Sequence, residues 1–393
     1  MYGPSISREG VPRAPAVVAM TLGLPAARAT ARRPLHVAFV FPWDLASDKA
    51  TAIRARVTID ALRRRLAEES LGAVSVVSPD LEQSGPTRGF WLQRFVPAAL
   101  RDLEAHAPDV IHAMTTQSIA PALLYRRRHP ETRVVFEMHG LTCLELDGLR
   151  LGRRLMLGLF DAWGAHGADA IVAMSFSQRE LLRRWLRVRR EKVQVLWGPV
   201  DLQLFRYDEP PPAPPFVIGY AGNDVFWQGT ETIIAAARLL RDQRDMRVHL
   251  LGFPAERYRD GLPDNVSLLG VVPRDEVPSA LARCHVLVSP RARLVVSDSQ
   301  YPFKLSAYLA AGRPIVATAV SDQPRVIAEA GCGVIVPPGD PPALAAAIRR
   351  LAALPTAERL ALGRRARAFA EQRLSLDALA DVLGALYGRL CRA

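Results

Sequence analysis

The sequence predicts an α/β protein made of two doubly wound, Rossmann-like parallel sheets that face a cleft. Short runs of apolar and β-branched residues alternate with helical patterns in two successive series, which is typical of parallel α/β layers. The chain has 393 residues, which is too long for one typical core and fits two domains. A proline-rich break, DEPPPAPP at 208–215, separates the two series and can continue neither a helix nor a strand.

The first series predicts six strands with helices between them, for example over Ile53–Glu69 and Gln178–Arg187. Ser177 is predicted to cap the second helix, because its hydroxyl can accept from otherwise unpaired backbone N–H groups. The predicted strands are Leu35–Phe41, Ala73–Ser78, Val110–Ala113, Arg133–Met138, Ala170–Met174 and Val193–Leu196.

The second series repeats this plan without repeating the sequence. Helices are predicted over Thr230–Leu240, Pro302–Ala311 and Pro341–Leu351, and residues 356–392 are helical and arginine-bearing. The predicted strands are Phe216–Tyr220, Met246–Leu251, Val266–Leu269, His285–Ser289, Pro314–Ala317 and Val334–Val336.

Residues 1–33 are predicted to be an extension outside the fold, because they hold four prolines and no periodic pattern. A secretion signal is an alternative, since the weakly apolar stretch Ala16–Leu24 is followed by AARATA. That stretch is short and lies between two prolines, so we expect a disordered tail, or a true start at Met20, instead.

Composition excludes several classes of protein. With 49% hydrophobic and 23% charged residues the chain is globular, and no apolar run approaches the ~20 residues of a bilayer-spanning helix. The four cysteines are widely separated and form neither a CxxC pair nor a metal-site spacing with histidine. We therefore expect a cytoplasmic protein with reduced thiols and no zinc site.

The net charge of +12 is concentrated in residues 1–207, which hold 29 lysines and arginines against 20 aspartates and glutamates. One interpretation is attraction to an anionic membrane surface, at ~1 kcal/mol for each basic residue close to it. A solvated surface without a partner is the alternative. No nucleic acid is expected, because no helix-turn-helix, RNP or zinc-finger pattern is present.

The loop after Phe216–Tyr220 has the form of an anion-binding turn. In FVIGYAGNDVFWQGTETII (216–234) a strand is followed by a turn with Gly222 and Gly229, and a helix begins near Thr230. Glycines let backbone N–H groups approach an anion, and a helix N-terminus adds partial positive charge. Phosphate binding is predicted; an ordinary βα turn is the alternative.

A second cleft-side helix begins in SDSQYPFKLSAYLAAGRPIVAT (297–318). Pro302 suits the first helical position and Gly312 suits the left-handed end cap. Lys304 in the first turn opposes the helix dipole, at roughly a few tenths of a kcal/mol, unless an anion such as a diphosphate lies nearby. The alternative is a lysine that extends into solvent.

The third segment is RVVFEMHGLTCLELDG (133–148), in which His139 directly follows an apolar strand. Ligands in such sheets bind at the carboxyl ends of strands, so catalytic and structural roles are both open for this histidine. The spacing of Glu137, Glu145 and Asp147 selects none of them as a base. Hydrolase, P-loop, zinc-protease and simple dehydrogenase chemistries lack their motifs.

From about Leu35 to Ala393 the chain resembles the family 4 glycosyltransferases (glycosyl transferases group 1), which have the GT-B fold. The stretches that carry this resemblance follow the family's order along the chain. They are APDVIHA (107–113), VVFEMHG (134–140), GADAIVAMSFSQRELL (167–182), KVQVLWGPVDLQLF (192–205), IGYAGNDVFWQG (218–229), KLSAYLAAGRPIVAT (304–318) and AGCGVIVPPGDPPALAAAI (330–348).

The resemblance implies transfer of a sugar from a nucleotide-sugar donor to an acceptor hydroxyl, with retention of configuration and without a metal or other cofactor. It implies an acceptor-binding domain over 34–207, a linker at 208–215, a donor-binding domain over 216–375 and a C-terminal helix over 376–393 that crosses back to the first domain. His139 matches the family's cleft histidine, and Asp44 and Glu145 are expected on the acceptor side. The expected donor-binding residues are Gly222, Asn223, Gln228, Ser299, Tyr301, Phe303, Lys304 and Leu305.

The donor site departs from the family pattern at four positions. The family commonly has an arginine and a lysine where this chain has Asn223 and Gln228, and two glutamates where it has Ser299 and Ala307. A lost charged hydrogen bond costs about 1.5–3 kcal/mol, so the resemblance predicts weaker or re-routed donor binding, with Lys304 supplying one missing charge.

Two functions therefore stay open. The first is an active glycosyltransferase for a polysaccharide, a lipid-linked sugar or a secondary metabolite, held peripherally on an anionic cytoplasmic membrane face. The second is a non-catalytic GT-B protein that acts as a scaffold for another transferase. A nucleotide-sugar epimerase is a third interpretation, but the acid/base carboxylates that it needs cannot be placed in the cleft.

Overall fold

The computed structural model describes residues 34–47, 50–68, 71–78, 91–145, 151–253 and 261–392. The predictions made for residues 1–33 and for Asp147 lie outside these described residues. All twelve predicted strands are present, and their ends differ from the predicted ones by no more than one residue. The predicted fold class, two doubly wound parallel sheets with flanking helices, is confirmed.

The first sheet has six parallel strands in the order β2-β1-β3-β4-β5-β6. Its chain order reverses between β1 and β3, and such a switch point opens a crevice at the carboxyl ends of the strands. The strands are β1 (Leu35–Val40), β2 (Gly72–Val77), β3 (Val110–Met114), β4 (Arg133–Met138), β5 (Ala170–Ala173) and β6 (Val193–Val195). The helices are α1 (Ala50–Glu68), α2 (Val96–His106), α3 (Ile119–Arg128), α4 (Thr142–Glu145), α5 (Leu151–Gly167) and α6 (Phe176–Trp185).

The second sheet has the order β12-β11-β10-β7-β8-β9. The strands are β7 (Phe216–Ala221), β8 (Met246–Leu251), β9 (Val266–Gly270), β10 (Val286–Ser289), β11 (Ile315–Thr318) and β12 (Gly333–Val336). The helices are α7 (Thr230–Leu239), α8 (Val277–Ala282), α9 (Val295–Asp298), α10 (Phe303–Ala310), α11 (Gln323–Ala330), α12 (Pro341–Ala352), α13 (Thr356–Arg373) and α14 (Leu376–Leu390).

One local prediction needs correction. The cap of α6 is Ser175 and not Ser177, because the helix begins at Phe176 and the Ser175 hydroxyl accepts from the backbone N–H of Gln178 at 2.9 Å. The region predicted to be helical over 356–392 consists of α13 and α14. The chain is interrupted at Leu374 and the helix restarts where the Ser375 hydroxyl caps α14.

The two sheets share one apolar core. Its largest cluster includes Val37 of β1, Trp197 after β6, Tyr308 of α10 and Tyr387 of α14. Helix α14 packs against α1 on the first sheet. The sheets are therefore held together by a buried apolar interior, which fixes the width of the crevice between them.

A buried carboxylate adds directional contacts across this junction. Asp322, at the start of α11, accepts hydrogen bonds from the backbone N–H groups of Phe176 (2.8 Å) and Ser177 (3.0 Å). It also accepts from the indole Nε1 of Trp197 at 2.7 Å. A carboxylate is favoured at a helix N-terminus. Here the helix is α6 of the first sheet, whereas Asp322 belongs to the second sheet. Asp322 therefore fixes α6 relative to the second sheet.

Among the described residues, no helix combines the length and the apolar character that crossing a bilayer requires.

Candidate active site

Two tyrosine hydroxyls hydrogen-bond to the backbone on either side of Gly222, in the turn after β7. The Tyr308 hydroxyl accepts from the backbone N–H of Ala221 at 2.8 Å, and the Tyr220 hydroxyl donates to the carbonyl of Asn223 at 2.9 Å. Gly222 between them has φ +150°, and a Cβ on it would lie 2.5 Å from Lys304 Nζ. Glycine is therefore required at 222, and its backbone lies directly beside the lysine ammonium group.

Lys304, in the first turn of α10, does not extend into solvent. Its Nζ is buried without a hydrogen-bond partner, and it lies 3.7 Å from the ring centroid of Tyr220. Burial holds the pKa of Lys304 well below its usual range, and the nearby Arg291 lowers it further. Because no described group pairs with it, the Lys304 amino group is a candidate for binding an anion.

Arg291 is a second buried cation, and the sequence reasoning missed it. It follows β10 at the same end of the sheet and is 2% exposed, yet its Nε has no hydrogen-bond partner and its Nη2 only reaches the carbonyl of Ser297 at 3.4 Å. Burial lowers its pKa to about 10, although Tyr220 and Asp298 nearby act in the opposite direction. The strand-end rule applied to His139 would have selected Arg291 as well.

The glycine turn and the segment after β10 pack directly together. The backbone N–H of Ala292 donates to the carbonyl of Trp227 at 3.0 Å. Gly229 has φ +72°, and a Cβ there would lie 1.8 Å from the carbonyl oxygen of Pro290. Buried polar atoms in proteins nearly always have a hydrogen-bond partner. Five in and around these segments have none: Gln228 Oε1, Thr230 Oγ1, Arg291 Nε, Ser297 Oγ and Lys304 Nζ.

Three of the predicted donor-binding side chains lie in the core instead. The Ser299 hydroxyl donates to the carbonyl of Val296 at 2.8 Å, and the Tyr301 hydroxyl is paired with that of Ser306 at 3.1 Å. Leu305 is fully buried, and its N–H donates to the carbonyl of Pro302. The prediction of Ser299 rests on its spacing in the sequence, and that of Tyr301 and Leu305 on the family resemblance. All three side chains are buried.

The remaining predicted donor residues stay on the cleft side. Phe303 and Lys304 line a cavity of about 220 Å³ with Ala307 on α10, Arg54 on α1 and Val200 after β6. Its walls are therefore supplied by both sheets. Ala307 contributes only a methyl group at the position of the family's second glutamate. The side chain of Asn223 is exposed beside the turn.

His139, at the end of β4, is paired with a buried carboxylate. Its Nε2 lies 2.7 Å from Oε1 of Glu137, which is two residues earlier and hence on the same side of the strand. Glu137 is fully buried and accepts two hydrogen bonds from Arg54, at 3.1 and 3.2 Å. Burial opposes ionisation of Glu137, but Arg54 and the two histidines outweigh it and hold the pKa well below its usual range.

This pairing sets the tautomer of His139. An ionised carboxylate can only accept, so the proton of the neutral ring is on Nε2 and the lone pair is on Nδ1. Nδ1 is buried without a partner. His139 can therefore accept a hydrogen bond from a hydroxyl group, and Glu137 can stabilise the ring if it becomes protonated.

A second histidine joins Glu137 to the C-terminal helix. His112 Nε2 lies 3.3 Å from Glu137 Oε2, an ion-pair distance without hydrogen-bond alignment. Its Nδ1 lies 2.5 Å from the hydroxyl of Tyr387 on α14. The end of the chain thus helps to hold the carboxylate that orients His139.

The predicted acceptor-side residues belong to segments that follow β1 and β4 of the first sheet. Asp44, in the loop after β1, accepts from the backbone N–H of Ala46 at 2.8 Å and so stabilises its own turn. Glu145 is the last residue of α4, which follows His139. Across the described residues there is no group of three histidine, cysteine or acidic side chains that could hold a metal ion.

Two family models match the chain. "Glycosyltransferase Family 4" matches residues 26–204, and "Glycosyl transferases group 1" matches residues 215–353. The two matches meet at the proline-rich break. A search of curated proteins finds no significant match.

Solved structures resemble the chain over most of its length. Sucrose-phosphate synthase from Thermosynechococcus elongatus is 20% identical, with a TM-score of 0.71 over 91% of this chain and 99% of that one. HepE from Anabaena, in complex with UDP, is 17% identical, with a TM-score of 0.69 over 90% and 100%. WaaG, a glycosyltransferase involved in lipopolysaccharide biosynthesis, is 15% identical, with a TM-score of 0.63 over 89% and 99%. At these identities the likeness shows the fold.

Proposed function

The chain belongs to the family 4, or group 1, glycosyltransferases and has their GT-B fold, and on this premise we propose that it transfers a sugar from a nucleotide-diphosphate sugar to an acceptor hydroxyl with retention of configuration. The second sheet binds the donor and the first sheet binds the acceptor. The domain limits remain those proposed above, with the break at 208–215 as the linker.

One observation carries this proposal: two cations, Lys304 and Arg291, are buried beside the Gly222 turn without an anion. Among the described residues neither of them forms a salt bridge. Burial of a basic side chain without a counter-ion opposes its charged form, and a bound diphosphate would favour that form. These two residues replace the positive charges that are missing at Asn223 and Gln228.

In the proposed reaction the diphosphate leaves toward Lys304, Arg291 and the backbone N–H groups at the start of α10. Cations already positioned where negative charge develops stabilise the transition state without reorganisation. His139 accepts a hydrogen bond at Nδ1 from a hydroxyl of the donor sugar or the acceptor, and its pairing with Glu137 keeps the ring in the accepting tautomer.

The nucleotide is proposed to lie across the cleft cavity on the Ala307 side of Lys304. HepE is described in complex with UDP, so a uridine nucleotide is the first donor to test. The side chain of Ala307 cannot form a hydrogen bond, so other groups must recognise the ribose. We therefore expect donor affinity to depend less on the ribose hydroxyls than it would with a glutamate at this position.

The acceptor is proposed to be a growing polysaccharide or a lipid-linked sugar at an anionic cytoplasmic membrane face. WaaG, which has the same fold, is involved in lipopolysaccharide biosynthesis. The excess of basic residues in the first half of the chain supports a peripheral position at such a surface.

Thermal unfolding with UDP-, GDP-, ADP- and dTDP-sugars tests the donor site. A donor at ~100 times its Kd stabilises by ~2.7 kcal/mol, and we expect this from one nucleotide series only. The stabilisation should disappear in Arg291→Met and persist in Arg241→Met, which removes an exposed arginine of the same sheet. Stabilisation by no donor would contradict the proposal. A protein that binds the donor but shows neither sugar transfer nor slow hydrolysis of the donor would instead favour a non-catalytic scaffold.

A further inference from the structure

Helix α5, which packs on the first sheet, has an apolar face that no other described residue covers. Five large apolar side chains point to solvent: Leu151 (72% exposed), Leu155 (60%), Met156 (42%), Leu159 (71%) and Trp163 (38%). At 100° per residue they fall within an arc of roughly 140°, on one side of the helix. The opposite side, with Gly164 and Ala165, is buried against the sheet. We call the five exposed side chains the α5 face.

The chain in and around α5 is rich in basic residues. The acidic residue of α5, Asp161, is buried and accepts from the hydroxyl of Thr116 and the N–H of Thr142. Arg154 is exposed in the first turn of α5, about 60° around the helix from Leu151. At the end of the helix Lys192 donates to the carbonyl of His166 at 2.7 Å. Over residues 119–192 the sequence has 14 lysines and arginines against eight aspartates and glutamates.

Helix α5 is also connected to the second sheet. The loop after His139 leads into α4, and α4 packs against α5 and contacts α9 of the second sheet. Leu294 and Val295, at the start of α9, expose further apolar surface. Helix α5 is therefore separated from the second sheet by one short helix.

We propose that the α5 face is where this protein docks on an anionic lipid bilayer, with the apolar side chains entering the headgroup region and Arg154 and Lys192 at the lipid phosphates. A helix with an apolar face and basic borders lies in a membrane interface, whereas a contact between copies of the chain would bring these positive charges together. This inference rests on the proposed function, since it brings a lipid-linked acceptor to the mouth of the cleft.

Vesicle co-sedimentation of the full chain tests the surface without using activity. Wild type should bind phosphatidylglycerol-containing vesicles, more weakly in high salt and more weakly still with phosphatidylcholine alone. The double variant Leu155→Ser/Leu159→Ser should bind at least tenfold more weakly. The matched control Leu269→Ser/Val271→Ser removes two exposed apolar side chains from the second sheet and should bind like wild type. All three proteins should give the same unfolding curve in solution.

Tryptophan fluorescence provides a local readout. Trp163 lies on the α5 face, so its emission should shift to shorter wavelength with vesicles, and Trp163→Phe should lose that shift.

Three results would overturn the proposal. They are a wild-type protein that does not bind vesicles, an equal loss of binding in both double variants, and equal binding to neutral and anionic vesicles. Dimerisation that Leu155→Ser/Leu159→Ser abolishes, without vesicle binding, would assign the face to a second copy. If the protein transfers sugar from its donor but does not bind vesicles, the membrane surface is refuted and the proposed function stands. If it binds vesicles but does not transfer sugar, the proposed function is refuted and the surface stands.

Discussion

Lys304 Nζ lies 3.7 Å from the ring centroid of Tyr220, and the hydroxyl of the same tyrosine holds the carbonyl of Asn223. One aromatic ring therefore supports both the buried cation and the turn beside it. A cation over an aromatic face is stabilised by about 0.5–2 kcal/mol, which offsets part of the cost of burying the ammonium group. The donor site is thus assembled before a donor binds.

Lys304→Met should stabilise the free protein and weaken nucleotide binding. The substitution replaces a buried, unpartnered ammonium group by an apolar side chain of similar length, so we expect the free energy of unfolding to rise by about 0.5–2 kcal/mol. The stabilisation given by UDP should fall by about 1.5–3 kcal/mol. Urea unfolding with and without UDP measures both quantities. A variant that is less stable but binds UDP normally would show that Lys304 is structural.

Binding of UDP should take up protons. Burial lowers the pKa of Lys304 in the free protein, and a bound diphosphate favours its charged form and raises that pKa again. The affinity should therefore fall as the pH rises through the pKa of the free protein. Calorimetry at a series of pH values in buffers of different ionisation enthalpy measures the uptake, which Lys304→Met should remove. Proton uptake that persists in the variant would point to another group.

His139→Gln should lower kcat by about 100-fold, because a hydrogen bond to the reacting groups is lost. The shift in unfolding temperature caused by UDP should stay close to that of wild type, since UDP carries no donor sugar for His139 to contact and the proposed phosphate site is on the second sheet. Initial rates on the identified donor give kcat. An unchanged kcat would assign His139 a structural role.

Glu137→Gln should destabilise the protein by about 3–5 kcal/mol, because Arg54 then remains buried without a counter-ion. The folded-state pKa of Glu137 lies below its usual 4.5, so its contribution is present above that pH. It is lost as the pH falls through the lowered pKa. The difference between wild type and variant should therefore be constant near neutral pH and shrink in acid. A difference that does not depend on pH would exclude an ionic origin.

Hydrophobic pattern alone determined the framework of this protein. Buried parallel strands are continuous apolar runs bounded by turn residues, so the ends of the twelve strands could be predicted to within one residue. Gly222, Lys304 and His139 could be selected as candidates for the same reason, because strand ends and helix starts are where a side chain can meet a ligand.

Contacts between residues distant in the sequence could not be predicted in this way. Ser299, Tyr301 and Leu305 stand at positions where donor contacts were predicted, but their side chains are buried once the elements pack. Arg291 has no motif, and its role depends on burial beside Lys304. The pairing of Glu137 with Arg54, 83 residues away, decides the tautomer of His139. Local sequence specifies the elements, whereas burial and charge pairing arise only when the elements pack.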